Sequence, residues 1–280
     1  MKTLGYYNGK IGEIEEIQVP MNDRACFFGD GVYDATITAN HIIFALDDHI
    51  NRFFSSASLV DIPLPFTKPE LGDLLKTLVK KVETPDLFVY WQATRGTASR
   101  AHAFPEDAKT NIWAMIRPIV MPDLEKKLQF ITTEDTRYFH CNIKTINLLP
   151  NVLASEKAKK AGCYEAIFHR GDRVTECTRS NIHILKDGTL HTAPADNLIL
   201  PGIARSHLIQ HCKLLNIPVI EKAFTLDQMM NADEVIMTSS STFCASADKI
   251  DEKPVGGKAE EILKKLRTSL LNEFKEATKI

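Results

Sequence analysis

Four turn signals set the tightest limit on how this chain can fold. Asn8-Gly9, Asn40-His41, Arg170-Gly171-Asp172 and Asp187-Gly188 each stand between short runs rich in β-branched and aromatic residues. Asparagine, aspartate and glycine accept the positive φ angles of tight hairpin turns, so each signal predicts two antiparallel strands. Further extended runs are Leu87 to Thr94, Ile112 to Ile116, Leu128 to Thr133, Val219-Ile220 and Asp233 to Thr238. Helices fall between them. Asp47 is placed to cap one whose apolar face is Ile50, Phe53, Phe54 and Ala57, and Thr67 with Glu70 forms a capping box ahead of Leu71 to Val82. Asn151 to Ala161 predicts a helix stopped by Gly162, and Gly202 to Leu215 and Ala259 to Phe274 predict two more. The pattern implies an α+β protein whose later hairpins form an antiparallel meander or barrel.

A chain of 280 residues with 44% hydrophobic side chains suffices for two domains of ordinary size. The run Arg117-Pro118-Ile119-Val120-Met121-Pro122-Asp123 carries two prolines, which oppose helix and interior strand alike. The expected division is a smaller N-terminal domain over 1–117, a linker at 118–123 and a larger domain over 124–280. A formal net charge of -2 with both signs interspersed excludes charge-driven binding to nucleic acid or an anionic membrane. No apolar run reaches the roughly 20 residues of a membrane span, and Met1 to Tyr6 lacks a signal peptide's apolar segment, so the expected location is cytoplasmic. Six scattered cysteines and nine histidines show no ligand spacing, which argues against a metal site.

The groups able to carry chemistry are few. Lys144 stands in the apolar run Cys141 to Leu149, either as a stem reaching water or as an amine held for a Schiff base with a carbonyl. Leu200-Pro201-Gly202-Ile203-Ala204 opens a helix at a glycine, where free N–H groups favour a phosphate. The hydroxyls of the Thr238 to Thr242 run suit the same anion or simple capping. Glu176, at the end of a strand, suits a protonated ring nitrogen or an arginine. Arg100 and His102, two apart in an extended loop, point the same way and suit one carboxylate, with Tyr33 as a further donor. An amine, a phosphate site, a carboxylate and a carboxylate clamp together are what pyridoxal phosphate and an amino acid require.

The chain resembles the fold type IV, or class IV, pyridoxal-phosphate enzymes, and within them the bacterial D-amino-acid transaminases. The motifs are Asp23-Arg24 with Phe28 to Tyr33, His49-Ile50-Asn51-Arg52, Thr94-Arg95-Gly96 with Arg100-Ala101-His102, Ile143-Lys144 with Asn147 to Leu149, Gly162 to Phe168, and Thr175-Glu176 with Ser180-Asn181. They run in order along essentially the whole chain. The resemblance implies a pyridoxal 5'-phosphate cofactor bound to Lys144, which also moves the substrate proton, and a ring nitrogen held by Glu176. It implies a phosphate held by Arg52, the backbone of Ile203 and Ala204, Ser239 and Ser240, and a ring face against Leu200. Tyr33 with Arg100 and His102 of a second subunit would clamp the substrate carboxylate, so a homodimer with shared sites is expected. The implied reaction moves an amino group from a D-alanine-like donor to 2-oxoglutarate. Branched-chain L-amino-acid transaminases and 4-amino-4-deoxychorismate lyase share the fold and stand as alternatives. Arg179 departs from the small serines common at its position, and Ala204 from the family's frequent hydroxyl. A guanidinium at 179 is able to serve as a second carboxylate donor, to reorient the substrate or to brace the cofactor.

Overall fold

The computed structural model describes residues 1–121 and 125–280. Its contacts group into two compact units: Met1–Val120 with Ile143–Asn147 and Phe274–Ile280, and Met121–Asn142 with Leu148–Glu273. The unit boundary therefore does not follow one cut in the sequence, because the Lys144 segment and the C-terminal residues fall with the first unit. Pro122 and Asp123 of the expected linker lie outside the described residues.

The first unit is a six-stranded antiparallel sheet with helices. Its strands are β1 (Leu4–Tyr7), β2 (Lys10–Gly12), β3 (Gly31–Ala39), β4 (Ile42–Ile43), β5 (Leu87–Thr94) and β6 (Asn111–Pro118), in the order β2-β1-β6-β5-β3-β4. Asn8 at φ 46° with Gly9 at φ 93°, and Asn40 at φ 52° with His41 at φ 58°, make the two expected tight turns. Helices α1 (Arg24–Phe28), α2 (Leu46–Leu59) and α3 (Lys68–Val79) complete the unit. The capping box of α3 is present, Thr67 and Glu70 each bonding the other's backbone. The cap expected of Asp47 is not: Ala45, at φ 49°, precedes α2 without a side-chain cap, and Asp47 lies inside the first turn, where the helix dipole favours a carboxylate. Phe53, Leu71, Leu75, Leu78 and Trp91 bury completely or nearly so beneath the sheet.

A backbone crossing sets the connection after β5. Gly96 adopts φ +115°, and a Cβ there would lie 2.2 Å from the carbonyl oxygen of Lys109. Only glycine fits both conditions. Gly96→Ala is expected to destabilise the protein by about 3 kcal/mol or more and to lower Tm by several degrees, as read by thermal unfolding.

The second unit is built on β7 (Leu128–Glu134), β8 (Glu165–Arg170), β9 (Arg173–Cys177), β10 (Asn181–Lys186), β11 (Thr189–Thr192), β12 (Val219–Glu221), β13 (Glu234–Thr238), β14 (Ala245–Ile250) and β15 (Lys253–Pro254). Its sheet runs β12-β11-β10-β13-β14-β7-β8-β9, with β15 on β14. The expected hairpins β8–β9 and β10–β11 are antiparallel, yet they lie at opposite ends of the order. Parallel pairings of β7 with both β8 and β14, and of β12 with β11, make the sheet mixed. Helices α4 (Leu149–Lys160), α5 (Ile203–Leu214), α6 (Leu226–Met230) and, as far as Glu273, α7 (Glu260–Thr278) accompany it. Leu263, Leu266 and Leu270 of α7 pack with Leu208 and Cys212 of α5, which fixes the helix whose first turn matters below.

Candidate active site

In the first unit, Lys144 lies on an irregular segment docked to β3. Thr145 bridges Val32, the Lys144 carbonyl accepts from Tyr33 N–H at 2.9 Å, and Ser56 Oγ accepts from Lys144 N–H at 3.1 Å. The segment is closed at its far end by Asn147, whose side-chain amide donates to the Gly29 carbonyl at 2.7 Å. The lysine is half-buried, and its Nζ sits 4.4 Å from the centroid of the Tyr33 ring, which itself stacks on Tyr90 at 5.2 Å. Backbone held at both ends and an aromatic face beneath the amine make Lys144 a placed group, unlike a lysine trailing in solvent.

Arg52, expected at a phosphate, is held by β3. Its Nε and Nη2 donate to the two oxygens of Asp34 at 2.9 and 2.7 Å, and His49 Nδ1 meets the same carboxylate at 2.7 Å. Burial of Asp34 alone would raise its pKa, but Arg52 and His49 outweigh it and hold the carboxyl well below the usual range. Burial pushes the His49 pKa down, and the Asp34 carboxylate opposes that shift. The depressed Asp34 stabilises the fold above the unfolded carboxyl pKa of about 4, and that contribution fades as pH falls toward the lower folded value. Asp34→Asn is expected to cost about 3–5 kcal/mol at pH 7 and to flatten the fall in stability below about pH 5, as read by denaturant titrations across pH.

Arg100 and His102 are exposed and flank one ring. The Arg100 guanidinium lies 5.3 Å from the Phe28 centroid and the His102 ring 5.2 Å from it. Their loop is ordered by Arg24, a motif residue whose role the sequence does not announce: its Nη1 donates to the carbonyls of Ala101 and Ala103, its Nη2 to that of His102, and its Nε to Asp30. Arg95 donates to the same Asp30 and covers Phe104. Buried guanidiniums thus hold the loop that carries these two exposed side chains.

In the second unit, Glu176 is buried at the end of β9. One oxygen takes a salt bridge from Arg137, and the other accepts from the amide of Asn181 and from Leu200 N–H, both at 3.0 Å. Arg137, missed from the sequence, is itself gripped by Asp135 through Nε and Nη2, both at 2.9 Å. Arg137 stands 39 residues from Glu176, so no local pattern announces the pair. Leu200 therefore touches Glu176 through its backbone. Arg179 pairs with Glu165, its Nε 2.9 Å from the carboxylate, while Ser180 Oγ donates to the same group at 2.8 Å. Burial pushes the Glu165 carboxyl up, and the Arg179 charge opposes that shift. The contact seen for Arg179 ties the loop after Glu176 to Glu165 of β8, and its side chain remains 62% exposed.

Ile203 and Ala204 are the first two residues of α5, preceded by Gly202, which offers no side-chain cap. A Cβ on Gly202 would come within 2.0 Å of Asn181 Oδ1, so glycine keeps the helix entrance clear and leaves Asn181 free to hold Glu176. Ser239 and Ser240 begin the turn after β13, where Ser239 Oγ lies 2.6 Å from Thr242 Oγ1 and the Phe243 N–H donates to the Ser239 carbonyl. An uncapped helix start with a hydroxyl-rich turn in the same unit fits a phosphate, and a buried carboxylate fits a protonated ring nitrogen. Among the described residues no cluster of histidine, cysteine, aspartate and glutamate could hold a metal ion, and no helix is long and apolar enough to cross a membrane.

The family model of amino-transferase class IV matches residues 31–250. The chain is 38% identical over 281 residues to a D-alanine aminotransferase of Bacillus licheniformis, covering 99% of each. It is 39% identical over 269 residues to one of Staphylococcus haemolyticus, covering 95% of each. Among solved structures, a branched-chain amino acid aminotransferase from Escherichia coli superposes with a TM-score of 0.90 at 21% identity, covering 99% of this chain and 96% of that one. A second branched-chain amino acid aminotransferase, from T.th. and complexed with N-(5'-phosphopyridoxyl)-L-glutamate, reaches 0.88 at 24% identity, covering 98% and 94%. The chain belongs to the class IV aminotransferases. It is a pyridoxal-phosphate-dependent transferase with the fold type IV architecture, and its substrates are amino acids and keto acids.

Proposed function

We propose that the protein is a D-amino-acid transaminase that takes the amino group of D-alanine or a similar donor and delivers it to 2-oxoglutarate. The single observation that carries this reading is the near-complete alignment at 38–39% identity with D-alanine aminotransferases, in a chain that carries Lys144, Glu176, Arg100 and His102. When bound, pyridoxal 5'-phosphate supplies an electron sink for the charge left when the Cα proton departs.

The protein's own groups do the rest. The Lys144 amine would carry the cofactor and serve as general base and acid for the Cα proton of the substrate. Glu176, salt-bridged to Arg137, would hold the protonated ring nitrogen. Ile203 and Ala204 N–H groups with Ser239, Ser240 and Arg52 would receive the phosphate, and Leu200 would pack on the ring. Tyr33, Arg100 and His102 bind the substrate carboxylate, and the face this presents to Lys144 decides the hand of the product. Arg179 steadies the loop after Glu176 and borders the substrate.

The working form is a homodimer in the cytoplasm, with Arg100 and His102 supplied to the partner's site. Two features support the dimer: both side chains are exposed, and α4 leaves Leu149, Val152 and Leu153 open at 69%, 59% and 58%. Steady-state assay with D-alanine and 2-oxoglutarate tests the reading. The expected products are pyruvate and D-glutamate. Pyruvate released instead from aminodeoxychorismate without any amino acceptor would contradict it.

A further inference from the structure

A line of polar groups in the second unit, buried from Arg205 onward and open to solvent at Glu221, belongs to no step above. It starts at Glu221 on β12, which accepts from Arg205 Nη2 at 2.7 Å. Arg205, the third residue of α5, also donates through Nη2 to the Ala193 carbonyl at 2.9 Å and through Nε to Thr192 Oγ1 at 3.2 Å. Thr192 Oγ1 lies 2.7 Å from His183 Nδ1, and His183 Nε2 lies 2.9 Å from Thr238 Oγ1. His183, Thr192, Thr238 and Arg205 are 0%, 1%, 1% and 5% exposed, so solvent cannot replace a lost bond.

The chemistry of the donors orients the line. An arginine only donates, so Thr192 Oγ1 accepts from it, and the nearby positive charge turns the Thr192 hydroxyl proton away from Arg205, toward His183 Nδ1. Burial and the Arg205 charge keep His183 neutral, its pKa pushed down to about 3. A neutral ring accepting at Nδ1 carries its proton on Nε2, which then donates to Thr238 Oγ1.

The ends of this line matter. Arg205 follows Ile203 and Ala204 directly, and Thr238 precedes Ser239 and Ser240 directly.

We propose that His183 is a positioning residue: with Thr192 and Arg205 it forms a buried strut that fixes the first turn of α5 relative to the end of β13, and so presets the two segments that receive the cofactor phosphate. This rests on the phosphate placement given under Proposed function. The strut touches neither the amine nor the ring, so its loss weakens recognition of the phosphate and leaves recognition of the pyridine unchanged.

The test compares affinity of the full-length, cofactor-free chain for pyridoxal 5'-phosphate and for pyridoxal, which lacks the phosphate, by absorbance titration. Thr192→Val, which changes little volume, and His183→Leu are expected to reduce the ratio of the two affinities about 10–100-fold, the range found when a group bracing a ligand's direct contacts is removed. Pyridoxal affinity should stay within about threefold, and His183→Gln, which restores a donor near Nε2, should recover part of the ratio. The Ser239→Ala, Ser240→Ala double variant should lower the ratio by itself. If it does so while Thr192→Val leaves the ratio at the wild-type value, or lowers both affinities together, the strut is refuted. If neither the double variant nor Thr192→Val lowers the ratio, the phosphate placement fails and the strut with it.

Discussion

Lys144→Ala is expected to remove the visible absorption band of the cofactor-loaded protein and to lower transaminase activity by roughly four orders of magnitude or more. The expectation follows from where the amine sits. Lys144 is backed by Tyr33 at 4.4 Å and its backbone is pinned to β3 and Ser56, so its amine is held in one place. Activity loss alone would also follow from misfolding, so the readout pairs the spectrum with the melting temperature. Lys144 is half-buried on a loop, and truncating it opens little core, so Tm should change by no more than a few degrees. A variant that keeps its band with native-like Tm would assign the cofactor amine to another lysine.

The second large effect concerns substrate. Arg100→Ala combined with His102→Ala is expected to lower kcat/KM for D-alanine by two to four orders of magnitude, on the basis of roughly 1.5–3 kcal/mol for each hydrogen bond to a charged carboxylate. Both side chains flank Phe28 and both hang on a loop tied by Arg24, so they act as one clamp and their effects should fall short of additive. Discrimination between D- and L-alanine should narrow in the double variant, because the clamp and the amine together define the reacting face. An unchanged D-to-L ratio would place the stereochemical control elsewhere.

Much of the local structure was legible because its causes are local. Asn8-Gly9 and Asn40-His41 carry their turns in their own φ preferences, and Thr67 with Glu70 closes its own box. The start of α2 was not, since it follows a left-handed Ala45, a residue type that carries no turn or cap signal. Sheet order was hidden for a different reason. On β7, Phe130 pairs with Glu165 and Leu128 with Ala247, both far along the chain, and side-chain alternation does not say which strand is the neighbour. The short helices α1 and α6 have too few turns for a periodic signal.

The candidate site divides in the same way. Lys144, Glu176, Arg100 and His102 carry residue types that fit the chemistry, and the family resemblance puts them in order. Their supports were invisible: Arg137 with Glu176, Arg24 with the Ala101 carbonyl, and Asp34 with His49 and Arg52 are recognisable as partners only once the fold brings them together. Asn181 stands among the motif residues, yet only the fold shows that it links Glu176 to the Leu200 carbonyl. Arg179 changed most. A guanidinium free to meet substrate was one expectation from sequence, whereas the fold supplies the buried Glu165 as its counter-charge.

The central claim is that this class IV aminotransferase acts on D-amino acids through Lys144. A single-turnover half-reaction tests it most directly: the cofactor-loaded protein is mixed with D-alanine, L-leucine or aminodeoxychorismate without an acceptor, and the visible band is followed in time. Rapid bleaching by D-alanine with one pyruvate per site, and bleaching by L-leucine at least about a hundredfold slower, is the predicted result. Faster bleaching by L-leucine, or pyruvate from aminodeoxychorismate beyond one per site, would contradict it.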